Sequence, residues 1–152
     1  MSRSDRASRL IKAPVSKLYR AFVDPQALVR WLPPEGMTGE ILAFDPRPGG
    51  GYRMALTYTD EDRTPGKTSE HGDVVEGRFV ELVPNRRIVQ SAEFESDDPA
   101  FAGTMRMTWT FEPTEGGTRV AIVCENVPQG IRKQDHVAGL KSSLANLAAF
   151  AE

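Results

Sequence analysis

Asp45-Pro46-Arg47-Pro48-Gly49-Gly50-Gly51-Tyr52-Arg53-Met54 is the stretch on which the reading of this chain turns. Its glycines look like a phosphate cradle, but a cradle of that kind opens a helix whose first amides hold the anion. The residues after these glycines have a period of two instead: large apolar Tyr52, Met54, Leu56 and Tyr58 alternate with Arg53, Ala55 and Thr57. The Pro-Gly cluster therefore turns one strand into the next, and the segment is a hairpin connection.

On either side of that hairpin, the same alternation predicts further strands. Met37 to Phe44 precedes it; Gly72 to Leu82, Arg87 to Glu95, Thr104 to Glu112 and Thr118 to Asn126 come after it, with Gly77 as a candidate bulge. Pro84-Asn85 and Glu115-Gly116-Gly117 are turns between them. Before the sheet, Met1 to Arg6 reads as a polar tail and Ala7 to Lys12 as a first strand. Pro14 opens a helix carrying Val15, Leu18, Tyr19 and Phe22 on one stripe; Asp24-Pro25 opens a second through Ala27, Leu28, Trp31 and Leu32, and Pro33-Pro34 stops it. The chain closes with a predicted helix over 132–151, whose Val137, Leu140, Leu144, Leu147, Ala148 and Ala151 recur at three- and four-residue intervals. One strand, two short helices, about six antiparallel strands and a long helix make an α+β domain over residues 7–152.

Bulk properties exclude several function classes. A chain of 152 residues forms one domain that buries roughly 70% of its unfolded surface without a staple. Nineteen basic residues face 21 acidic ones, and no basic stripe exists to neutralise phosphates, so nucleic acid is not an expected partner. The single cysteine, Cys124, cannot make an internal disulfide, which suits the reducing cytoplasm. Neither an apolar leader nor a run of membrane-spanning length is found, so no membrane association is expected.

Several motifs, in this order, resemble the START-like superfamily (SRPBCC, or helix-grip proteins), and within it the family named for activators of the heat-shock-chaperone ATPase. They are Ala13-Pro14-Val15 with Trp31, the turn from Phe44-Asp45 to Tyr52-Arg53, and Glu76-Gly77-Arg78-Phe79 running to Pro84. Arg87-Ile88-Val89, Met107-Thr108-Trp109-Thr110-Phe111 with Gly116-Gly117-Thr118, and a terminal helix with Ser142 and Leu144 complete the set. The resemblance implies a helix-grip fold: a curved antiparallel sheet of about six or seven strands wrapped on the C-terminal helix, with a cavity between them. Many relatives have Gly-Trp in that helix, where this chain has Gly139-Leu140. Chaperone-binding members also carry an added N-terminal domain for which this chain has no room, so a chaperone partner is only weakly implied.

For a small apolar or amphipathic ligand in that cavity, the candidate contacts are Trp31, Met54, Tyr58, His71, Phe94, Met107, Trp109 and Leu140. Methionine and aromatic side chains suit an adaptable pocket, although alternating apolar residues more often fill a core. His71 lies between Glu70 and Asp73, but those carboxylates point to opposite faces of an extended segment, so no metal is expected, and His136 is far away in sequence. No cofactor and no catalytic residue is assigned: Cys124 has no electropositive neighbours in sequence, and no G-x-S-x-G elbow occurs. Two alternatives stay open. One is an enzyme similar to polyketide cyclases and aromatases, working by confinement. The other is an interaction module, a chaperone co-factor among them, and a homodimer through a sheet edge is compatible with either.

Overall fold

The computed structural model describes residues 3–33, 37–58, 72–94 and 103–152. Pro14 stands in extended geometry immediately before α1 (Val15–Val23), which buries Leu18, Ala21 and Phe22. Asp24 then works twice. Its backbone N–H closes α1 on the Arg20 carbonyl, and its carboxylate accepts from the Gln26 N–H at 2.9 Å to cap α2 (Pro25–Trp31). The proline at the first position of α2 gives up no hydrogen bond there.

Seven strands make one antiparallel sheet: β1 (Ser4–Ile11), β2 (Met37–Phe44), β3 (Gly51–Tyr58), β4 (Gly72–Val83), β5 (Arg87–Phe94), β6 (Gly103–Thr114) and β7 (Gly117–Glu125). Their order across the sheet is β1-β7-β6-β5-β4-β3-β2, so the first strand pairs with the last. The expected hairpins are present. Gly49 has φ +90 in the turn between β2 and β3, and Asn85 takes a left-handed φ of 62 between β4 and β5. Gly117 has φ +146, and a Cβ there would collide with the Ile11 carbonyl oxygen, so only glycine closes the β6–β7 turn against β1.

Three expectations need correction. β1 starts at Ser4 rather than Ala7, so Ser4, Asp5 and Arg6 belong to the sheet and not to a polar tail. The reason is that Asp5, fully buried, takes its partners from Arg3 and from the last helix, which local polarity does not reveal. The bulge in β4 falls at Val80, where the register to β5 shifts between Phe79 and Glu81, and not at Gly77. Val80 is 42% exposed, so the extra residue is turned out of the core. A second bulge in β2, at Leu42, does the same on the exposed edge strand. Finally, α3 (Lys133–Ala151) begins one residue later than the periodicity predicts.

α3 buries Leu140, Leu144, Leu147, Ala148 and Ala151, and it packs on β1, α1 and α2. Its C-terminal end is tied to the β1–α1 joint, where the Lys12 N–H donates to Glu152 Oε2 at 3.0 Å. A single apolar cluster joins Ile11, Phe22, Trp31, Met54, Phe79, Trp109, Ile122 and Leu144. Both faces of this two-layer arrangement follow from strand alternation: Met54, Met105, Trp109 and Cys124 point to the helices, while Arg53, Arg78 and Arg106 point away.

Candidate functional site

One row of cross-strand neighbours on the inner face carries most of the chemistry. Asp5 on β1 pairs with Cys124 on β7, Cys124 with Met107 on β6, Met107 with Gln90 on β5, and Gln90 with Phe79 on β4. Asp5, Cys124 and Phe79 are closed off from solvent and Gln90 is 5% exposed, yet Met107 between them is only half-buried. The row is therefore sealed at both ends and open at a methionine in its middle.

At one end of the row Asp5 is clamped. His136 Nδ1 on the first turn of α3 lies 2.6 Å from Asp5 Oδ2, Arg3 donates to the same oxygen at 3.0 Å, and the Lys133 ammonium is 3.9 Å from Oδ1. Desolvation pushes the Asp5 carboxyl up, but the hydrogen bonds and charges of His136 and Arg3 outweigh it and hold the carboxyl below its ordinary range. Beside it, burial above all, and the Asp5 charge second, push the Cys124 thiol up to about 12. That thiol is protonated at neutral pH and is a packing group, not a nucleophile. Among the described residues, no group of three or more His, Cys, Asp or Glu side chains could hold a metal.

Further along the sheet an aromatic cluster closes the space between the layers. Phe22 of α1 stands edge-on to Trp31 at 4.9 Å, to Trp109 at 4.8 Å and to Phe111 at 5.6 Å between ring centroids. The Trp31 indole donates to the Ala21 carbonyl at 2.9 Å, and the Trp109 indole donates to Gln90 Oε1 at 3.0 Å. On the neighbouring strands the Tyr52 ring lies over Gly77, where a Cβ would come 2.5 Å from ring carbon Cε1. Burial lifts the Tyr52 phenol to about 12.

Of the residues singled out from the sequence, Trp31, Met54, Trp109 and Leu140 are buried in one core cluster, and Met107 packs against it. Met107 alone among these five is partly open to solvent. Tyr58 and Phe94 stand at strand positions opposite Met37 and Gly103, with side chains outside the described residues, and His71 lies outside them altogether. Sequence reasoning missed Asp5, Gln90 and His136. For Gln90 a signal existed, since it shares its parity with Ile88 and Phe94 on a strand whose other inward positions are apolar.

A groove of about 900 Å³ opens on the opposite face of the sheet beside the β2–β3 turn. Arg53, Glu76, Arg78 and Asp45 line it; Arg53 pairs with Glu76 at 3.3 Å, and Asp45 with Arg47, outside the lining, at 2.9 Å. Exposed pairs of this kind contribute little to stability. Among the described residues, no helix is long and apolar enough to cross a membrane.

Comparison with known proteins supports this architecture throughout. A Chromobacterium violaceum protein of known crystal structure is 38% identical over 98% of this chain and 97% of its own, with a TM-score of 0.80. A Mesorhizobium loti protein (21% identical, 97% and 96% covered, TM-score 0.74) shares the fold. So does the AHSA1-like protein from Aeromonas hydrophila (16% identical, 99% and 91% covered, TM-score 0.75). No curated protein matches the chain. The model of the family described as Activator of Hsp90 ATPase homolog 1-like protein matches residues 12–152. With the motif order, the helix-grip architecture and a match of that extent in agreement, the chain belongs to the Activator of Hsp90 ATPase homolog 1-like protein family.

Proposed function

We propose that the protein binds a small amphipathic molecule between its sheet and α3, with the apolar body of the ligand against Met107. The fold is one commonly used for ligand binding. The observation that carries the reading is the half-buried Met107 in an otherwise sealed inner row, with the buried Gln90 amide beside it on β5 and the buried Cys124 thiol beside it on β7. A flexible, polarisable thioether at such an opening adapts to ligands of different outline, while the aromatic cluster beside it pins α1 and α2 to the sheet. One buried cysteine and no expected disulfide fit a cytoplasmic setting for this activity.

Native mass spectrometry of freshly purified protein, followed by analysis of the molecules that denaturation releases, tests the reading. A discrete retained small molecule, lost from a Met107→Arg variant that keeps its circular dichroism, is the expected result. A clean apo mass, together with no saturable binding of the apolar dye 1-anilinonaphthalene-8-sulfonate, would sink it.

A further inference from the structure

α3 is anchored unevenly. Its buried side chains begin at Leu140, and no residue from Gln129 to Gly139 is buried, although Pro128 before them and Leu140 after them are. Arg132 at the N-cap makes no side-chain capping bond, so the first turn has no local support. Gly139 sits inside the helix, where glycine is less favourable than alanine, yet a Cβ there would meet no described atom within 4 Å. Packing therefore does not demand a glycine at this point. Ile131 is only half-buried against the core, and the remaining hold on the segment is polar. His136 Nδ1 lies 2.6 Å from Asp5 Oδ2, and the Lys133 ammonium reaches the Ser4 carbonyl at 3.5 Å. Arg3 shares Oδ2 with His136, while Asp5 Oδ1 and Arg3 Nε are buried with no hydrogen-bond partner. The closed contact thus leaves one acceptor and one donor desolvated and unpaired, a cost that lifting the segment away relieves.

We propose that residues 129–139 are a strap that lifts at Gly139 while the rest of the fold stays intact, that the Asp5–His136 contact latches it shut, and that lifting it admits ligand to the Met107 site. The inner row gives the route. Asp5 lies under the latch, its cross-strand neighbour is Cys124, and the next is Met107. Lifting the strap extends the opening at Met107 along those two positions toward β1, roughly 10 Å at the usual strand spacing. The role in ligand entry rests on the ligand-binding reading above; the opening itself does not. His136 is a positioning residue for the strap and does not need to touch the ligand.

Cys124 reports the opening, because its thiol is closed off from solvent until the latch end of the row is uncovered. Its labelling by iodoacetamide, slow in the native protein, is followed over hours at urea concentrations below the unfolding transition. Strap opening exposes little surface, so the wild-type rate should hardly depend on urea. A rate that climbs with urea as steeply as global unfolding refutes the strap. His136→Ala should raise the rate roughly 10-fold and keep the flat urea dependence, the scale of a lost hydrogen bond to a charged group. Gly139→Ala, which fits without a clash, should lower it roughly 4-fold through helix propensity. A rate indifferent to both substitutions refutes latch and hinge alike. Amide exchange separates a strap from a frayed helix end: the amides of Val137, Ala138 and Gly139 should open with the same equilibrium constant as Cys124. Exchange there without matching access to Cys124 overturns the strap. Stopped-flow binding of 1-anilinonaphthalene-8-sulfonate tests entry, and its association rate should rise in His136→Ala. An unchanged association rate overturns the entry route and leaves the ligand-binding reading standing. No saturable binding overturns that reading and the role in entry together, while labelling still decides the opening. If His136→Ala does not fold, the wild-type urea dependence and Gly139→Ala decide the matter.

Discussion

Replacing Phe22 by leucine isolates the contribution of the aromatic cluster to holding the layers together. Phe22 is 1% exposed and stands edge-on to three rings at centroid distances of 4.8–5.6 Å. An aromatic pair in this geometry is worth about 0.5–1.5 kcal/mol beyond its buried area. Three pairs sharing one ring are not additive, so their joint loss is set at about 2 kcal/mol rather than the full sum. Leucine keeps most of the volume, and the change of shape adds about 1 kcal/mol. The expected destabilisation is therefore roughly 3 kcal/mol, which lowers Tm by about 6–12 °C in a chain of this size. Urea titration followed by far-ultraviolet circular dichroism is the assay, with an unchanged m-value as the sign that only stability moved. Leu18→Met on the same helix is the control: Leu18 is also fully buried but takes part in none of these ring pairs, and should cost less than about 1.5 kcal/mol. If Phe22→Leu costs no more than Leu18→Met, the rings contribute only bulk and the reasoning fails.

Asp5→Asn should destabilise by about 2 kcal/mol at pH 7, the scale of a hydrogen bond to a charged group. Because the folded carboxyl is held below its ordinary range, that stabilisation is present above about pH 4 and is lost as the pH falls through the folded pKa. Arg3, Lys133, His136 and Cys124 are the titratable groups around it, and a gap between variant and wild type that ignores acid would refute the account. Cys124 should resist iodoacetamide at pH 8 in the native protein and react freely in urea; rapid native labelling contradicts its burial. Gly77→Ala forces the Tyr52 ring off the strand and should lower Tm by several degrees, whereas Gly77→Ala combined with Tyr52→Leu should recover much of the loss. A loss in the double variant equal to the sum of the two single losses would mean that the ring is not the obstacle.

The hairpin from Asp45 to Met54, the two short helices and the long terminal helix were legible because each has a local cause: a turn that demands glycine or asparagine, a proline at a first helical position, a spacing of three and four. Strand and helix periodicity also identified Trp31, Met54, Met107, Trp109 and Leu140 as inward-facing residues. Periodicity could not supply the side chain that arrives from the opposite layer. Phe22 was visible as part of a helix stripe, but nothing in its neighbourhood says that it inserts between Trp31 and Trp109. Asp5 was hidden for the opposite reason. A run of Ser, Asp and Arg reads as solvated until a histidine 131 positions later is brought against the carboxylate. Gln90 was readable as a polar residue at an inward position, though its partner, the Trp109 indole, comes from another strand.

The pairing of β1 with β7 also governs the order in which this molecule can be assembled. Thr118 Oγ1 donates to the Ala13 carbonyl 105 positions away, and the whole of β1 docks on a strand that the ribosome makes long after it. The hairpins from β2 to β7 have only local partners to find and can zip one after another, but the first strand must wait, its inward residues unshielded, until β7 emerges. A search of that span is slow and leaves an unpaired strand free to meet other chains in the interval. Refolding should accordingly show a late step in which β1 and α3 acquire amide protection together, since the Asp5–His136 contact joins them. The clamp that orders the finished molecule is thus also the closing event of its folding.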